Sequence, residues 1–71
     1  MIADWLKILG KNIKFYRKLQ NLSQEKLAEL IGKSRNYVGM IERAEVNMPV
    51  LTLFEIAVVL DVEPENFFKL R

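Results

Sequence analysis

Arg35, Asn36 and Met40 are the residues of this chain whose types and spacing could read a base pair. A guanidinium offers two donors that match O6 and N7 of guanine. A carboxamide pairs with N6 and N7 of adenine, and an apolar side chain can lie against the thymine methyl. Met40 follows Asn36 by four residues, so on a helix the two face the same way. Around them Gln24, Lys33, Ser34, Tyr37, Arg43 and Asn47 supply amide, ammonium, hydroxyl and guanidinium groups of the kind that hold phosphate and sugar. Plainer readings stand beside these: Arg35 as a solubilising charge, Ser34 as a helix cap, Tyr37 as packing over a turn, Met40 as a merely exposed residue. Gln24 has no structural role legible in the sequence.

Two short helices joined by a tight turn must position these groups. Leu27, Ala28 and Ile31 are three or four residues apart and share one helical face, and Val38 and Ile41 do the same for a second helix. Ala28 is small where the helices would cross. Gly32 can take the left-handed conformation that ends the first of them. The pattern is that of a helix-turn-helix, whose second helix lies in the DNA major groove. Arg35, Asn36, Tyr37, Met40 and Arg43 then remain on the exposed side of that second helix.

Composition narrows the alternatives. Seventy-one residues, about half of them apolar, make one small domain spanning residues 1–71 with a modest core. Cysteine and histidine are both absent, which removes disulfides, thiolate metal sites and the commonest general base. Ser23 and Ser34 are both claimed by caps, so no nucleophile–base set can be assembled, and neither an enzyme nor a cofactor is expected. The N-terminal stretch has no long apolar run, so a cytoplasmic protein with no membrane contact is the default. Charge is divided unevenly. From Trp5 to Arg43 nine Lys/Arg face three acids (Glu25, Glu29, Glu42), whereas from Ala44 onward five acids face two bases. The basic part coincides with the helix-turn-helix and the helix before it, as an electrostatic footprint for phosphate should, although a solvated basic face would look similar.

Asp4 is a candidate N-cap for a first helix running to about Gln20, with Leu6, Leu9, Ile13 and Tyr16 or Arg17 along its stripe. Asn21 ends it. Ser23 and Ser34 cap the second and third helices, the third running to about Arg43. Pro49 fits the first turn of a fourth helix over Val50 to Leu60, with Leu53, Ile56, Ala57 and Leu60 facing the core. Asp61 and Val62 break it, and Pro64 opens a short fifth helix carrying Phe67 and Phe68. The expected fold is all-α, a five-helix orthogonal bundle.

The run Arg17, Leu22-Ser23-Gln24-Glu25, Leu27-Ala28, Gly32, Ser34, Tyr37-Val38 and Ile41-Glu42-Arg43 resembles the Cro/phage-repressor (XRE-type) helix-turn-helix family. Asn47, Thr52-Leu53, Ile56-Ala57, Leu60, Val62, Pro64 and Phe67-Phe68 extend the likeness to roughly residues 9 to 70. Residues 37–43 followed by Asn47 are similar to the controller proteins of restriction–modification systems. The resemblance implies a lambda-repressor-like DNA-binding domain. It also implies phosphate contacts at Gln24 and Ser34, and a buried bridge between Arg17 and Glu42, two charges that fall near apolar stripes. Three positions depart from the family pattern. Ala44 replaces the usual glycine after Glu-Arg, Val46 stands where a basic residue is common, and Pro49 replaces a capping Ser or Thr, leaving Asn47 as the nearest candidate cap for the fourth helix.

Val50, Leu51, Phe54 and Val58 form an apolar stripe that the core face of the fourth helix does not use, and Phe67 or Phe68 could add to it. Such a stripe is expected at a partner surface. Trp5 and Phe15 either extend the core or make a second patch. The leading expectation is a sequence-specific transcriptional regulator that binds double-stranded DNA as a homodimer on paired half-sites. The alternative is an antitoxin-type interaction module whose apolar face holds a toxin while the helix-turn-helix represses its own operon. Operator sequence, activation or repression, and genomic context are not written in these residues.

Overall fold

Among the described residues, four α-helices and one 3-10 turn follow each other: α1 (Ile2–Leu19), α2 (Gln24–Ile31), α3 (Arg35–Glu42), α4 (Val50–Leu60) and the turn Pro64–Phe68. The computed structural model describes residues 2–70, with side chains from Trp5 onward. No strand occurs among the described residues. The fifth element is therefore shorter and tighter than the expected helix. The chain leaves it at Lys69, which is extended, and the carbonyls of Phe67 and Lys69 both accept from Asn12 Nδ2, at 2.7 and 2.8 Å. α1 begins at Ile2, upstream of Asp4, so Asp4 lies inside the helix rather than at its cap. Its side chain lies outside the described residues.

All four helices end with the same backbone closure. Asn21, Gly32, Ala44 and Asp61 each adopt φ between 57° and 69°. In each case the next residue's N–H reaches back to a carbonyl five residues earlier: Leu22 to Arg17, Lys33 to Ala28, Glu45 to Met40 and Val62 to Ala57, at 2.8 to 3.1 Å. This closure satisfies carbonyls that the helix itself leaves open. Ala44 makes the same turn without glycine's freedom, at φ 62°. The N-terminus of α4 is less well provided for. Pro49 occupies the cap position and no side chain bonds the free amides there, so Asn47 is not its cap.

The core is built from Ile13, Leu27, Ala28, Ile31, Val38, Ile41, Leu53, Ile56, Ala57, Leu60 and Phe67. Phe67 is completely buried and stacks edge-on to Tyr16 with ring centroids 5.9 Å apart. That removes it from any surface, contrary to its expected place beside Phe68. Asn12 holds the Phe67 carbonyl at the same place. Trp5 and Phe15 are neither core nor fully free, at 48 and 41% exposure; Trp5 lies 6.3 Å from the ring of Phe68. α1 and α3 cross at Gly10, where a Cβ would stand 2.7 Å from the carbonyl oxygens of Ile41 and Glu42. A side chain there would push the two helices apart.

Candidate nucleic-acid interface

Ser34 fixes the start of α3. Its backbone is extended and its hydroxyl oxygen accepts from the Tyr37 N–H at 3.1 Å, so the cap expected at this residue is made. Ser23 does the same for α2, accepting from Lys26 N–H at 2.9 Å. With α3 begun at Arg35, the helical period turns Val38 and Ile41 into the core. Arg35 and Asn36 are left exposed at its N-terminal end. Asn36 Nδ2 lies 3.5 Å from Met40 Sδ, so the two share one face and Met40 is half-buried behind the amide. Tyr37 is half-buried against the core, and Lys33 Nζ sits 5.7 Å from its ring centroid. Tyr37 thus packs below against the core and has a cation above its ring.

Gln24, Arg35, Asn36, Gly39 and Arg43 line one open concavity. It draws on the first residue of α2 and on both ends of α3. Gln24 has a structural role that its sequence context did not suggest, since its Nε2 donates to Glu42 Oε1 at 3.0 Å. Glu42 also accepts from Arg17, from Nε at 2.6 Å and from Nη2 at 3.1 Å. Arg17 Nη1 gives a further hydrogen bond to the Leu22 carbonyl at 2.8 Å. The side chains of this pair are only 8 and 3% exposed, so α1, the turn before α2 and the end of α3 are tied at one point.

Arg43 lies outward, across Gly39, and forms a two-point pair with Glu45. The carboxylate, by hydrogen bond first and by its charge second, holds the guanidinium's pKa above its usual value. Glu45 was not singled out by spacing or resemblance. The signal was the separation Arg-x-Glu across a helix end. Val46 is half-buried and packs against the core. Asn47 is exposed in the loop after α3. Among the described residues no cluster of potential metal ligands occurs, and no helix is long and apolar enough to cross a membrane.

A family model described as helix-turn-helix matches residues 13–67, from one fully buried core residue to another. The chain belongs to this helix-turn-helix family. A control protein of Serratia marcescens, C.SmaI, is 45% identical over 58 residues, covering 82% of this chain and 69% of its own length. Among solved structures, the restriction–modification controller protein C.AhdI from Aeromonas hydrophila is similar with a TM-score of 0.87 and 36% identity, over 93% of this chain and 96% of that one. SinR, a master regulator for biofilm formation solved in complex with DNA, is similar with a TM-score of 0.78 and 34% identity, over 86% of this chain and 98% of that one. As a member of this family the helix-turn-helix protein is a DNA-binding transcriptional regulator and not an enzyme.

Proposed function

We propose that the helix-turn-helix protein regulates transcription as a homodimer on paired DNA half-sites, in the manner of a restriction–modification controller. In this reading α3 enters the major groove. Arg35, Asn36 and Met40 meet base edges, while Gln24, Lys33, Ser34, Tyr37, Arg43 and Asn47 meet the backbone. Arg17 and Glu42 hold the reading helix in place. The observation that carries the dimer is the outer face of α4. Val50, Leu51, Phe54 and Val58 are 60, 71, 46 and 80% exposed although the opposite face of the same helix is core. Phe54 and Val58 also border an open groove formed with Val62 and Pro64, into which a partner's side chain could fit. Phe68, 41% exposed, is the terminal aromatic still available to such an interface. A single helix-turn-helix reads few base pairs, and two copies related by a two-fold axis place their reading helices about one helical turn apart, roughly 34 Å.

Sedimentation together with selection of bound duplexes from a random pool tests this. The wild-type chain should sediment as a dimer and select two half-sites. Phe54→Lys should give a folded monomer with much weakened binding to the selected duplex. A Phe54→Lys protein that remains a dimer would move the interface elsewhere, to the Trp5 and Phe15 region first. A wild-type monomer would favour the second reading of the same stripe, a surface that holds a toxin.

A further inference from the structure

Arg43 is the last positive charge of the basic segment, and it faces the same concavity as Gln24, Arg35 and Asn36. Its guanidinium is already engaged. Nε donates to Glu45 Oε2 at 3.1 Å and Nη2 donates to Glu45 Oε1 at 3.2 Å. The backbone that carries the pair is fixed. The Glu45 N–H donates to the Met40 carbonyl at 2.8 Å, and Ala44, in the left-handed conformation, turns the chain so that this bond can form. On the other side Gly39 provides a seat, because a Cβ there would stand 2.9 Å from Arg43 Nη1. The guanidinium is confined between helix backbone and a carboxylate two residues further on.

That arrangement occupies the Nε/Nη2 edge, one of the two-donor edges by which an arginine grips a phosphate. A DNA strand approaching Arg43 therefore meets a carboxylate in the position it would take itself, with the same sign of charge. We propose that Glu45 competes with DNA phosphate for Arg43 and so lowers the protein's affinity for duplex of any sequence. The proposal rests on the DNA-binding reading above. The two side chains are 55 and 50% exposed, and pairs this open are weak enough for a phosphate to displace. Displacement leaves Glu45 to recruit a counterion, which offsets part of the counterion release that Arg43 would otherwise contribute.

Glu45→Gln tests the competition directly, and the residue is exposed, so folding is not at stake. The measurement is a fluorescence anisotropy titration of a labelled random-sequence duplex at salt concentrations from about 50 to 200 mM. Glu45→Gln should bind about 1.5- to 5-fold more tightly per bound chain, the range spanned by exposed ion pairs. The slope of log affinity against log salt should steepen by up to about 0.9 per bound chain. Introduced into Arg43→Ala, the same change should give a clearly smaller gain, because no guanidinium remains to be released. Unchanged binding by Glu45→Gln overturns the proposal, and weaker binding overturns it and makes the carboxylate a group that orients Arg43 toward DNA. An equal gain with and without Arg43 also overturns it, leaving only general repulsion of phosphate. A wild-type chain that binds no duplex at the lowest salt overturns the DNA-binding reading and this proposal with it, an outcome recognisable before any variant is made.

Discussion

Glu42→Gln should cost this small protein about 3–5 kcal/mol, close to half of its stability. The substitution keeps the shape of the side chain and removes its charge. Three donors converge on the carboxylate: Arg17 Nε, Arg17 Nη2 and Gln24 Nε2. An amide offers one oxygen in place of two, and its nitrogen is a donor turned toward other donors. The Arg17 guanidinium, 8% exposed in its side chain, would then be a buried charge without a counter-charge. At about 2.1 cal/mol/K per residue, unfolding this chain of 71 residues carries roughly 150 cal/mol/K, so each 1 kcal/mol moves Tm by about 7 °C. The expected fall is therefore about 20–35 °C, followed by far-UV circular dichroism on heating. Total stability for a chain of this length is of order 4–10 kcal/mol, so at the low end the variant is partly unfolded at room temperature. The double substitution Arg17→Met with Glu42→Leu should be milder than Glu42→Gln alone, since it leaves no charge stranded. A Glu42→Gln protein melting within about 5 °C of wild type would refute the reasoning, because the burial and the donor count would then carry almost no energy.

Gly10→Ala should destabilise, read from the same melting curves, because the new Cβ meets backbone oxygens of α3 that cannot rotate away, at a cost of about 1–3 kcal/mol. The gain of up to about 1 kcal/mol in helix propensity offsets part of this cost and leaves a net loss of up to about 2 kcal/mol, and a raised Tm would mean that the crossing is looser than its geometry. Ala44→Gly should instead stabilise: the left-handed conformation costs a non-glycine residue about 1–2 kcal/mol, against about 0.4–1 kcal/mol of extra unfolded-state entropy, for a net rise in Tm of a few degrees. Arg35→Ala should relax base preference at one position of each selected half-site by about 1–3 kcal/mol, whereas an equal loss on every duplex would place Arg35 on phosphate.

The boundaries that depend on local chemistry were legible, whereas the Asp4 start of α1 and the Asn47 cap of α4 were not. Ser23, Ser34, Gly32, Asn21 and Asp61 act through bonds to their own backbone neighbourhood, and α4 runs from Val50 to Leu60 as its apolar period requires. What was not legible depends on contacts distant in the chain. Asn12 looks like a polar residue on a basic helix, yet it is 1% exposed and holds two carbonyls 55 and 57 residues away. Without that bond nothing in the local sequence says which of Phe67 and Phe68 turns inward. Thr52 is likewise buried, at 4%, among residues whose period marks only the apolar ones. At the candidate interface, residue types indicated the exposed groups Arg35 and Asn36, but not the partners that hold Gln24 and Arg43. Those partners, Glu42 and Glu45, are acids inside or beside a basic surface, and sequence alone counts them only as charge.

In the proposed DNA-binding reading, Glu42 and Arg43 let one helix end serve packing and recognition together. Successive residues on a helix point about 100° apart. Glu42 therefore turns toward α1 and Arg17, while Arg43 comes to lie over Gly39, its neighbour four residues back. Gln24 spans the two environments: its amide nitrogen is bound to the inward-facing carboxylate, and its side chain borders the outward concavity. The consequence is that this end of α3 has little freedom to shift, with Gly10 against its last carbonyls and Glu42 bonded on three sides. Arg35 and Asn36 gain a fixed platform from that restraint, since an eight-residue helix held at one end by Ser34 and at the other by Arg17 moves as a unit. Adjustment to a DNA backbone must then come from side chains rather than from the helix. In the proposed reading Arg43, once released from Glu45, is the cation that supplies it at this end of α3, since the chain beyond carries no further positive charge before Lys69.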